Sequence, residues 1–320
     1  MDDRQLLALL EPGPRDPARL AVALGMPDAQ VVQALERLRQ AGVALHSDAR
    51  GRWSLPQPLD LHDRPALLAG LAPATVQAIA GLEVLWSVDS TNSELLRRPV
   101  PDTGLAVVLA ESQQSGRGRR GRQWHSPLGR HLYLSLGWCS PHGLAPLAGL
   151  SVVVGVVVAE VLRACGLAAG LKWPNDLLLD GAKLGGILVE TAGPARGPLQ
   201  VVAGVGLNVH GRDWEGSSID QPWTAIDGHL AQRPCRDALA AALLDALVPA
   251  LALHRAQGLA PFLERYAALD LLAGQPIWVD DGNGRSPARA LGLAGDGGLR
   301  ISDGRGERCL HAGVVSVRKQ

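Results

Sequence analysis

The stretch LLLDGAKLGGILVE, residues 177–190, limits the folds open to this chain more than any other. An Asp-Gly pair between two apolar runs is a strong signal for a two-residue β-hairpin, and Asp180 and Gly181 stand at that place. Further strand-like runs lie at 82–88, 105–112, 131–138, 170–173 and 199–209, and helical patterns lie near 91–98, 146–165 and 236–272. This mixture predicts an α+β or α/β domain on a mixed, mostly antiparallel sheet over residues 63–270.

The segments on either side of this domain have other patterns. Before it, residues 2–11, 16–25 and 27–42 have helical periodicity, and VALHSD and GRWSLP predict two strands around a turn at Asp48 to Gly51. Three short helices and a strand pair predict a winged helix-turn-helix over residues 1–62. After it, residues 271–320 have short strand and turn signals without a helical pattern, which predicts a small β-barrel.

Charge and cysteine content narrow the class of protein. Lys+Arg and Asp+Glu both number 31, so the whole chain has no charge excess that would favour nucleic acid or a membrane surface. The four cysteines form no CxxC pair, which disfavours a zinc site or a disulfide framework and suits a reducing cytosol. The acidic start MDDRQLLALL lacks the basic region of a signal peptide, and the apolar run 143–159 is interrupted by proline, serine and glycine. We therefore expect a cytoplasmic protein with no membrane partner and no metal site of its own.

The most unusual local sequence is SGRGRRGRQWHS, residues 115–126, where four arginines fall within six residues. Its glycines form a literal GxGxxG, but no long helix and no nearby acidic residue follow, which argues against a dinucleotide site. The segment joins two apolar strands, so a disordered RG-rich tract is also disfavoured. Arginine forks bind carboxylate and phosphate oxygens, and glycine permits large backbone changes. The pattern predicts a mobile lid over a polyanionic ligand, with Trp124 at its base either stacking on a nucleobase or packing in the core.

Lysine is rare in this chain, since only Lys172, Lys183 and Lys319 occur. Lys183 leaves the predicted hairpin turn, and Gly185 and Gly186 leave room for a ligand beside it. A solvated lysine is the plain alternative, but we interpret Lys183 as a functional ammonium that neutralises a phosphate or a developing negative charge.

Two further polar groups accompany glycine-rich strands. Asn175 and Asp176, in KWPND, are candidates to hold a metal or to orient an attacking amine, with capping of the next segment as the alternative. In VDSTNSELL, Thr91 and Glu94 have capping-box spacing and predict a helix start. Ser90 and Asn92 add groups suited to binding a neutral polar ring. VAGVGLNV places Gly204, Gly206 and Asn208 on one strand, where tight packing also explains the glycines.

In this order, DSTN, ESQQSGRGRRGRQW, KWPND, KLGGILVE and GVGLNV resemble the motifs of biotin protein ligases, and the flanking segments resemble the bifunctional biotin ligases and biotin operon repressors of bacteria. The resemblance implies a class II aminoacyl-tRNA synthetase-like catalytic domain and an SH3-like C-terminal β-barrel. It implies that biotin and ATP form biotinyl-5′-adenylate with Mg²⁺, and that biotin passes to a lysine of the biotin carboxyl carrier protein of acetyl-CoA carboxylase. It also implies a ligand-promoted homodimer on operator DNA.

The resemblance also assigns roles to residues. The biotin site would comprise Ser90, Thr91, Asn92, Gln113, Arg117, Gly118, Arg119, Lys183, Gly186 and Gly204. The ATP and adenylate site would comprise Arg119, Arg122, Trp124, Asn175, Lys183 and Asn208. Arg119 and Lys183 would hold the biotin carboxylate and the α-phosphate, and Asp176 would assist the incoming amine, which makes these three the expected catalytic residues.

Two departures and two alternatives accompany this interpretation. Gln123 stands where the family often has lysine, and residues 1–60 carry seven arginines against eight acidic residues, a net charge of −1. The predicted recognition helix offers Gln30, Gln33 and Arg37 to DNA, a poor set of phosphate contacts. One alternative is a lipoate ligase, whose arginine-rich triple-glycine signature is missing here. The other is a ligand-sensing DNA-binding regulator with a catalytically silent domain, against which the complete set of lid, Lys183 and WPND argues.

Overall fold

The computed structural model describes residues 3–144, 147–194, 197–211, 219, 221–280, 284–311 and, for the backbone, 316–319. The N-terminal part consists of helices α1 (Asp3–Ala8), α2 (Pro17–Leu24) and α3 (Asp28–Gln40) and of two-residue strands β1 (His46–Ser47) and β2 (Trp53–Ser54). The two strands pair antiparallel around the predicted turn, where Gly51 N donates to Asp48 O at 2.9 Å. Leucines from all three helices form a separate small core. The three helices and the strand pair predicted here are present.

The central sheet has seven strands in the order β3-β4-β5-β9-β8-β7-β6. They are β3 (Ile79–Leu85), β4 (Leu105–Ala110), β5 (Leu132–Ser140), β6 (Gly170–Lys172), β7 (Asp176–Leu179), β8 (Ala182–Ala192) and β9 (Leu199–Leu207). β3 and β4 are parallel and the other neighbours are antiparallel, which confirms the mixed, mostly antiparallel sheet. The Asp180-Gly181 hairpin joins β7 to β8 as predicted.

Helices cover this sheet on two sides. Helices α7 (Leu150–Ala164) and α8 (Arg236–Gln257) pack together in the main core. Helix α6 (Thr91–Arg97) lies on the other face, where Leu95 packs against Val108 of β4 and Val202 of β9. Successive side chains of a strand point to opposite faces, so Ser135 and Gly204, which are paired across β5 and β9, lie on the α6 face.

The structure corrects two helix predictions. Helices α4 (Arg64–Ala69) and α5 (Pro73–Ala78) were missed, since each has only six residues. The single helix predicted over 236–272 is two helices, α8 and α9 (Ala260–Ala267), because Gly258 ends α8 with a φ of 67°. By length and composition α8 would be able to cross a membrane. Half of its most apolar stretch is buried inside the protein, however, as in a core helix.

The C-terminal part is an antiparallel sheet in the order β13-β12-β11-β10-β14. Its strands are β10 (Pro276–Asp280), β11 (Arg285–Leu293), β12 (Leu299–Asp303), β13 (Gly306–Leu310) and β14 (Ser316–Lys319). The predicted all-β tail is therefore present, whereas closure into a barrel would require pairing of β13 with β14, which the described strands do not make. Its small core includes Trp173 of the central domain, so the two parts share apolar packing.

A buried ion-pair junction joins the N-terminal helices to the central domain. Glu111, directly after β4, is fully buried and its carboxylate binds Arg4 of α1 at 2.9 Å and the fully buried Arg236 of α8 at 2.8 Å. The backbone N–H of His62 donates to the same carboxylate at 2.7 Å. Breaking a buried pair of this kind typically costs about 3–5 kcal/mol. Glu111, two residues before Gln113, thus binds helix α1, helix α8 and the backbone of His62.

Candidate active site

One cavity of about 740 Å³ opens beside α6 and is lined by β5, β7, β8, β9 and the β4–β5 connection. All the residues predicted to contact biotin, ATP or the adenylate line it: Ser90, Thr91, Asn92, Gln113, Arg117, Gly118, Arg119, Arg122, Trp124, Asn175, Asp176, Lys183, Gly186, Gly204 and Asn208. They come from segments up to 118 residues apart in sequence, so the fold brings them together.

A chain of hydrogen bonds forms the floor of the cavity. Thr91 N donates to Gln113 Oε1 at 2.9 Å, and Ser135 Oγ lies 2.7 Å from Thr91 Oγ1 and 2.6 Å from Asn92 Oδ1. Asn92 Nδ2 donates to Leu188 O at 3.0 Å and to Glu190 Oε2 at 2.9 Å. The Asn92 amide is thus used to organise the floor.

The capping-box interpretation of VDSTNSELL is wrong. The N-cap of α6 is Ser90, whose side chain makes no capping bond, and Thr91 is the first helical residue. Glu94 binds Arg98 and Arg97 with its carboxylate instead of reaching back to the cap. Because the Thr91 hydroxyl is turned toward Ser135 and Gln113, the polar cluster belongs to the cavity.

Two glycines of β9 are required by close approach. A Cβ atom on Gly204 would overlap Asn92 Oδ1, and one on Gly206 would lie 2.7 Å from Cε2 of Trp124. The packing explanation for these glycines is therefore correct. The two glycines also serve the site, because Asn92 and Trp124, which line the cavity, occupy the space that Cβ atoms would fill.

The arginine-rich connection divides its charges between the inside and the outside of the cavity. Arg117 forms an ion pair with Glu190 at 3.1 Å, and Arg119 Nη1 donates to Asn175 Oδ1 at 3.2 Å. Burial lowers the pKa of the half-buried Arg119 guanidinium, an effect that the Asp176 carboxylate opposes. Arg120 and Arg122 are exposed at the rim. The connection therefore covers the cavity as a lid, tied to β8 by Arg117 and to the β6–β7 turn by Arg119.

Lys183 and Asp176 form the charged centre of the cavity. Lys183 Nζ lies 2.7 Å from Asp176 Oδ1 and 5.7 Å from the centroid of the Trp124 ring. Asp176 begins strand β7, so the alternative that Asn175 and Asp176 form the N-terminal cap of the next segment is wrong. The Lys183 ammonium is a cation suited to an anionic ligand, and the Asp176 carboxylate beside it is a group able to accept a proton.

Asn208 has a positioning role that the sequence pattern did not predict. Its Nδ2 donates to Thr224 O at 3.0 Å and to Lys183 O at 3.3 Å. The backbone of Lys183 is also bound on both sides, by Pro222 O and by Thr224 N, each at 3.0 Å. Asn208 thus ties the 222–224 segment to Lys183.

The sequence analysis did not predict four residues that line the cavity or support its floor: Ser135, Glu190, Trp223 and Tyr133. Trp223 and Tyr133 line the cavity, whereas Ser135 and Glu190 support Asn92. Glu190 ends the KLGGILVE motif. The sequence could have indicated it, because it is the acidic residue closest in sequence to Gly186. Nothing local distinguishes Trp223 among the eight tryptophans.

The residues predicted to contact DNA lie elsewhere. Gln30, Gln33 and Arg37 lie on one exposed face of α3 and do not line the cavity. Arg37 Nη2 forms an ion pair with Asp3 Oδ1 at 2.7 Å, which neutralises the one cation of this set.

Comparison with known proteins agrees with this geometry. Residues 85–208 match the biotin/lipoate A/B protein ligase family. The chain is 36% identical over 316 residues to the bifunctional ligase/repressor BirA of Escherichia coli (strain K12), a match that covers 98% of this chain and 96% of the relative. It is 34% identical to the biotin–[acetyl-CoA-carboxylase] ligase of Paracoccus denitrificans over 72% of this chain and 98% of that one. The solved structure of the Aquifex aeolicus biotin protein ligase in complex with biotin and ATP is similar, with 26% identity, a TM-score of 0.65, and coverage of 75% of this chain and 100% of the other.

The fold and the cavity, together with these matches, define a protein ligase of the biotin/lipoate type. Within that class, the chain belongs to the family of bifunctional biotin ligase/repressors. The shorter ligases match about three quarters of the chain.

Proposed function

We propose that this enzyme joins biotin and ATP to form biotinyl-5′-adenylate and pyrophosphate, and then transfers biotin to a lysine of the biotin carboxyl carrier protein of acetyl-CoA carboxylase. The observation that carries the proposal is the meeting of Lys183, Arg119 and the polar floor around Thr91 in one cavity. A hydroxyl and amide floor suits a neutral ureido ring, and two cations suit the carboxylate and phosphate that must react.

In the first half-reaction, a biotin carboxylate oxygen attacks the α-phosphorus and pyrophosphate leaves. Arg119 and Lys183 both line the cavity, which supports a role for their charges in neutralising the charge that develops on the phosphoryl oxygens. Trp124 and Trp223 supply aromatic walls for the adenine. Mg²⁺ bound with the ATP phosphates would offset their charge. Asp176 is the one carboxylate among the described residues that line the cavity, so it is the residue that would hold this ion.

In the second half-reaction, the carrier lysine attacks the acyl carbon of the adenylate and AMP leaves. The Lys183–Asp176 ion pair suggests how one site serves both steps. A phosphoryl group that binds the Lys183 ammonium competes with Asp176 for it. The freed carboxylate then orients the incoming amine and accepts its proton.

The first test is exchange of labelled pyrophosphate into ATP. We expect exchange that requires biotin and Mg²⁺ and does not occur with lipoate, because only the biotin carboxylate should be activated. Equal exchange with lipoate, or none with biotin, would overturn the assignment. Transfer is then measured with the carrier domain and with a carrier whose target lysine is replaced by arginine.

A second function, repression of the biotin operon, is favoured by the near full-length match to bifunctional ligase/repressors. We infer that the N-terminal helices and strand pair form a winged helix-turn-helix, that the C-terminal strands form an SH3-like barrel, and that the protein is a cytoplasmic, ligand-promoted homodimer. Gln30 and Gln33 are exposed for base contacts. The Arg37–Asp3 ion pair leaves few positive charges to contact DNA phosphates. Affinity for DNA must therefore come from the dimer, in which two N-terminal segments each bind one half of the operator.

We expect operator binding only with biotin and ATP present, and with a shallow salt dependence. Each phosphate contact contributes a slope of about −0.9 in log K against log salt, and this surface makes few. The measurement is a salt titration of binding to DNA upstream of the biotin synthesis genes, with and without both ligands. Tight, steeply salt-dependent binding by the ligand-free protein would refute this picture, and absence of specific binding in both states would refute repression.

A further inference from the structure

Outside the cavity, three side chains with metal-binding atoms meet on the surface of the C-terminal sheet. Asp296 lies in the turn between β11 and β12, Cys309 lies on β13, and His311 follows β13 directly. A carboxylate oxygen, the cysteine sulfur and a ring nitrogen all lie within 4.8 Å of one another. All three residues are exposed, so an ion reaches them from solvent without opening the fold.

The strand register explains why these residues meet. β12 and β13 pair with Leu299 opposite Leu310 and Arg300 opposite Cys309. The start of β12 and the turn before it therefore lie beside the end of β13. This is a long-range contact between Asp296 and a Cys-x-His sequence, and no CxxC spacing accompanies it.

Two features of the turn prepare the cluster. Gly298 N donates to Asp296 Oδ1 at 2.9 Å, which fixes the carboxylate and leaves Oδ2 at 3.9 Å from His311 Nδ1. A Cβ atom on Gly298 would overlap the sulfur of Cys309, so glycine here makes the space that the sulfur occupies.

We propose that Asp296, Cys309 and His311 form a binding site for one Zn²⁺ ion, with water as the fourth ligand. Sulfur, imidazole nitrogen and carboxylate oxygen are the usual zinc ligands, at about 2.3, 2.0–2.1 and 2.0–2.2 Å in a tetrahedral arrangement. Because the three atoms already lie within 4.8 Å of one another, we expect small side-chain adjustments to bring them to these distances. On binding, the Cys309 S–H bond breaks, its proton leaves to solvent and a sulfur–zinc bond forms.

The position of the turn gives the site a structural consequence. Gly297, next to Asp296, accepts a hydrogen bond at 3.0 Å from Nε1 of Trp173, and Trp173 is buried and lines the catalytic cavity. A metal ion between the turn and β13 therefore fastens the segment on which the C-terminal sheet meets the catalytic domain.

The test uses the full-length protein, reduced by a phosphine, with Co²⁺ as a spectroscopic substitute for Zn²⁺. We expect one Co²⁺ per chain, with a near-ultraviolet sulfur-to-cobalt charge-transfer band and the visible bands of a tetrahedral site. Cys309→Ser should abolish the charge-transfer band, and the matched control Cys165→Ser, another exposed cysteine, should retain it. Absence of the band from the wild type, its survival in Cys309→Ser or its loss in Cys165→Ser would overturn the proposal.

Zn²⁺ affinity, measured by competition with a chromophoric chelator, tests the other two ligands. Loss of a residue one shell further out typically weakens metal binding about 10- to 100-fold, so we expect Asp296→Asn and His311→Gln each to weaken it at least about tenfold. Asparagine keeps an acceptor for Gly298 N, so the turn itself should persist. Zn²⁺ should raise the Tm of the wild type and leave that of Cys309→Ser unchanged. Equal affinity in wild type and both variants would contradict the site.

Discussion

Lys183→Ala should lower biotin-dependent pyrophosphate exchange by about 10²- to 10³-fold, the typical cost of removing one group that stabilises transition-state charge. The structure places this ammonium at the centre of the cavity, 2.7 Å from Asp176 and above the Trp124 ring. Because the charge develops during formation of the adenylate, the loss should appear in kcat of the first half-reaction more than in the KM for biotin. The measurement is steady-state exchange over a range of biotin and ATP concentrations.

Two further variants make this result specific. Lys172→Ala removes the other lysine that lines the cavity. If the exchange rate depended only on the positive charge of the cavity, Lys172→Ala and Lys183→Ala would lower it alike. Lys183→Arg keeps the charge but replaces a point charge by a planar fork, so we expect it to recover only part of the rate. If Lys183→Ala exchanged pyrophosphate at the wild-type rate, Lys183 would have no part in adenylate formation.

Arg119→Gly should release biotinyl-adenylate before transfer and should label nearby amines without selectivity. Arg119 ties the lid to the β6–β7 turn through Asn175, and it is half-buried toward the cavity. Glycine removes this contact and a fork that is suited to hold the adenylate phosphate, and it adds backbone freedom at the same place. We expect labelled adenylate to leave the enzyme at least about tenfold faster, which corresponds to about 1.4 kcal/mol. The release rate is measured by rapid filtration in the absence of carrier.

The neighbouring residue provides the matched control. Arg120 is exposed and has a φ of 60°, a conformation that glycine adopts without strain, so Arg120→Gly adds backbone freedom to the lid and keeps the Arg119–Asn175 contact. If both variants released the adenylate equally fast, backbone freedom and not the Arg119 fork would set the rate. Release from Arg119→Gly at the wild-type rate would show that the lid is held by other contacts.

The local elements of the fold followed closely from the sequence. The Asp180-Gly181 turn, the strands on either side of it and the helices that became α6 and α7 were predicted within a few residues. Their signals are local, because periodicity and turn chemistry act between residues close in sequence. The short α4 and α5 were missed for the same reason, since six residues carry too little periodic signal.

The sequence predicted a set of residues that line one cavity, but it did not predict the contacts among them. The motifs predicted which residues would line the cavity, and the structure brings them together there. The sequence did not predict that Asn92 is used to hold the floor, that Asn208 supports Lys183, or that Glu190 binds the lid through Arg117. These contacts join β8 to helix α6, to the residue after β9 and to the lid, which are separate segments of the chain.

By itself, therefore, the sequence determined the kinds of element, the rare charged and polar residues, and the family to which they belong. Only the tertiary structure decided that Lys183 pairs with Asp176, that Glu111 joins Arg4 to Arg236 across three segments, and that Asp296 meets Cys309 and His311. The physical reason is that local hydrogen bonding and hydrophobic periodicity extend over a few residues. The partner of a side chain is set by strand order and register, which bring together residues far apart in the chain.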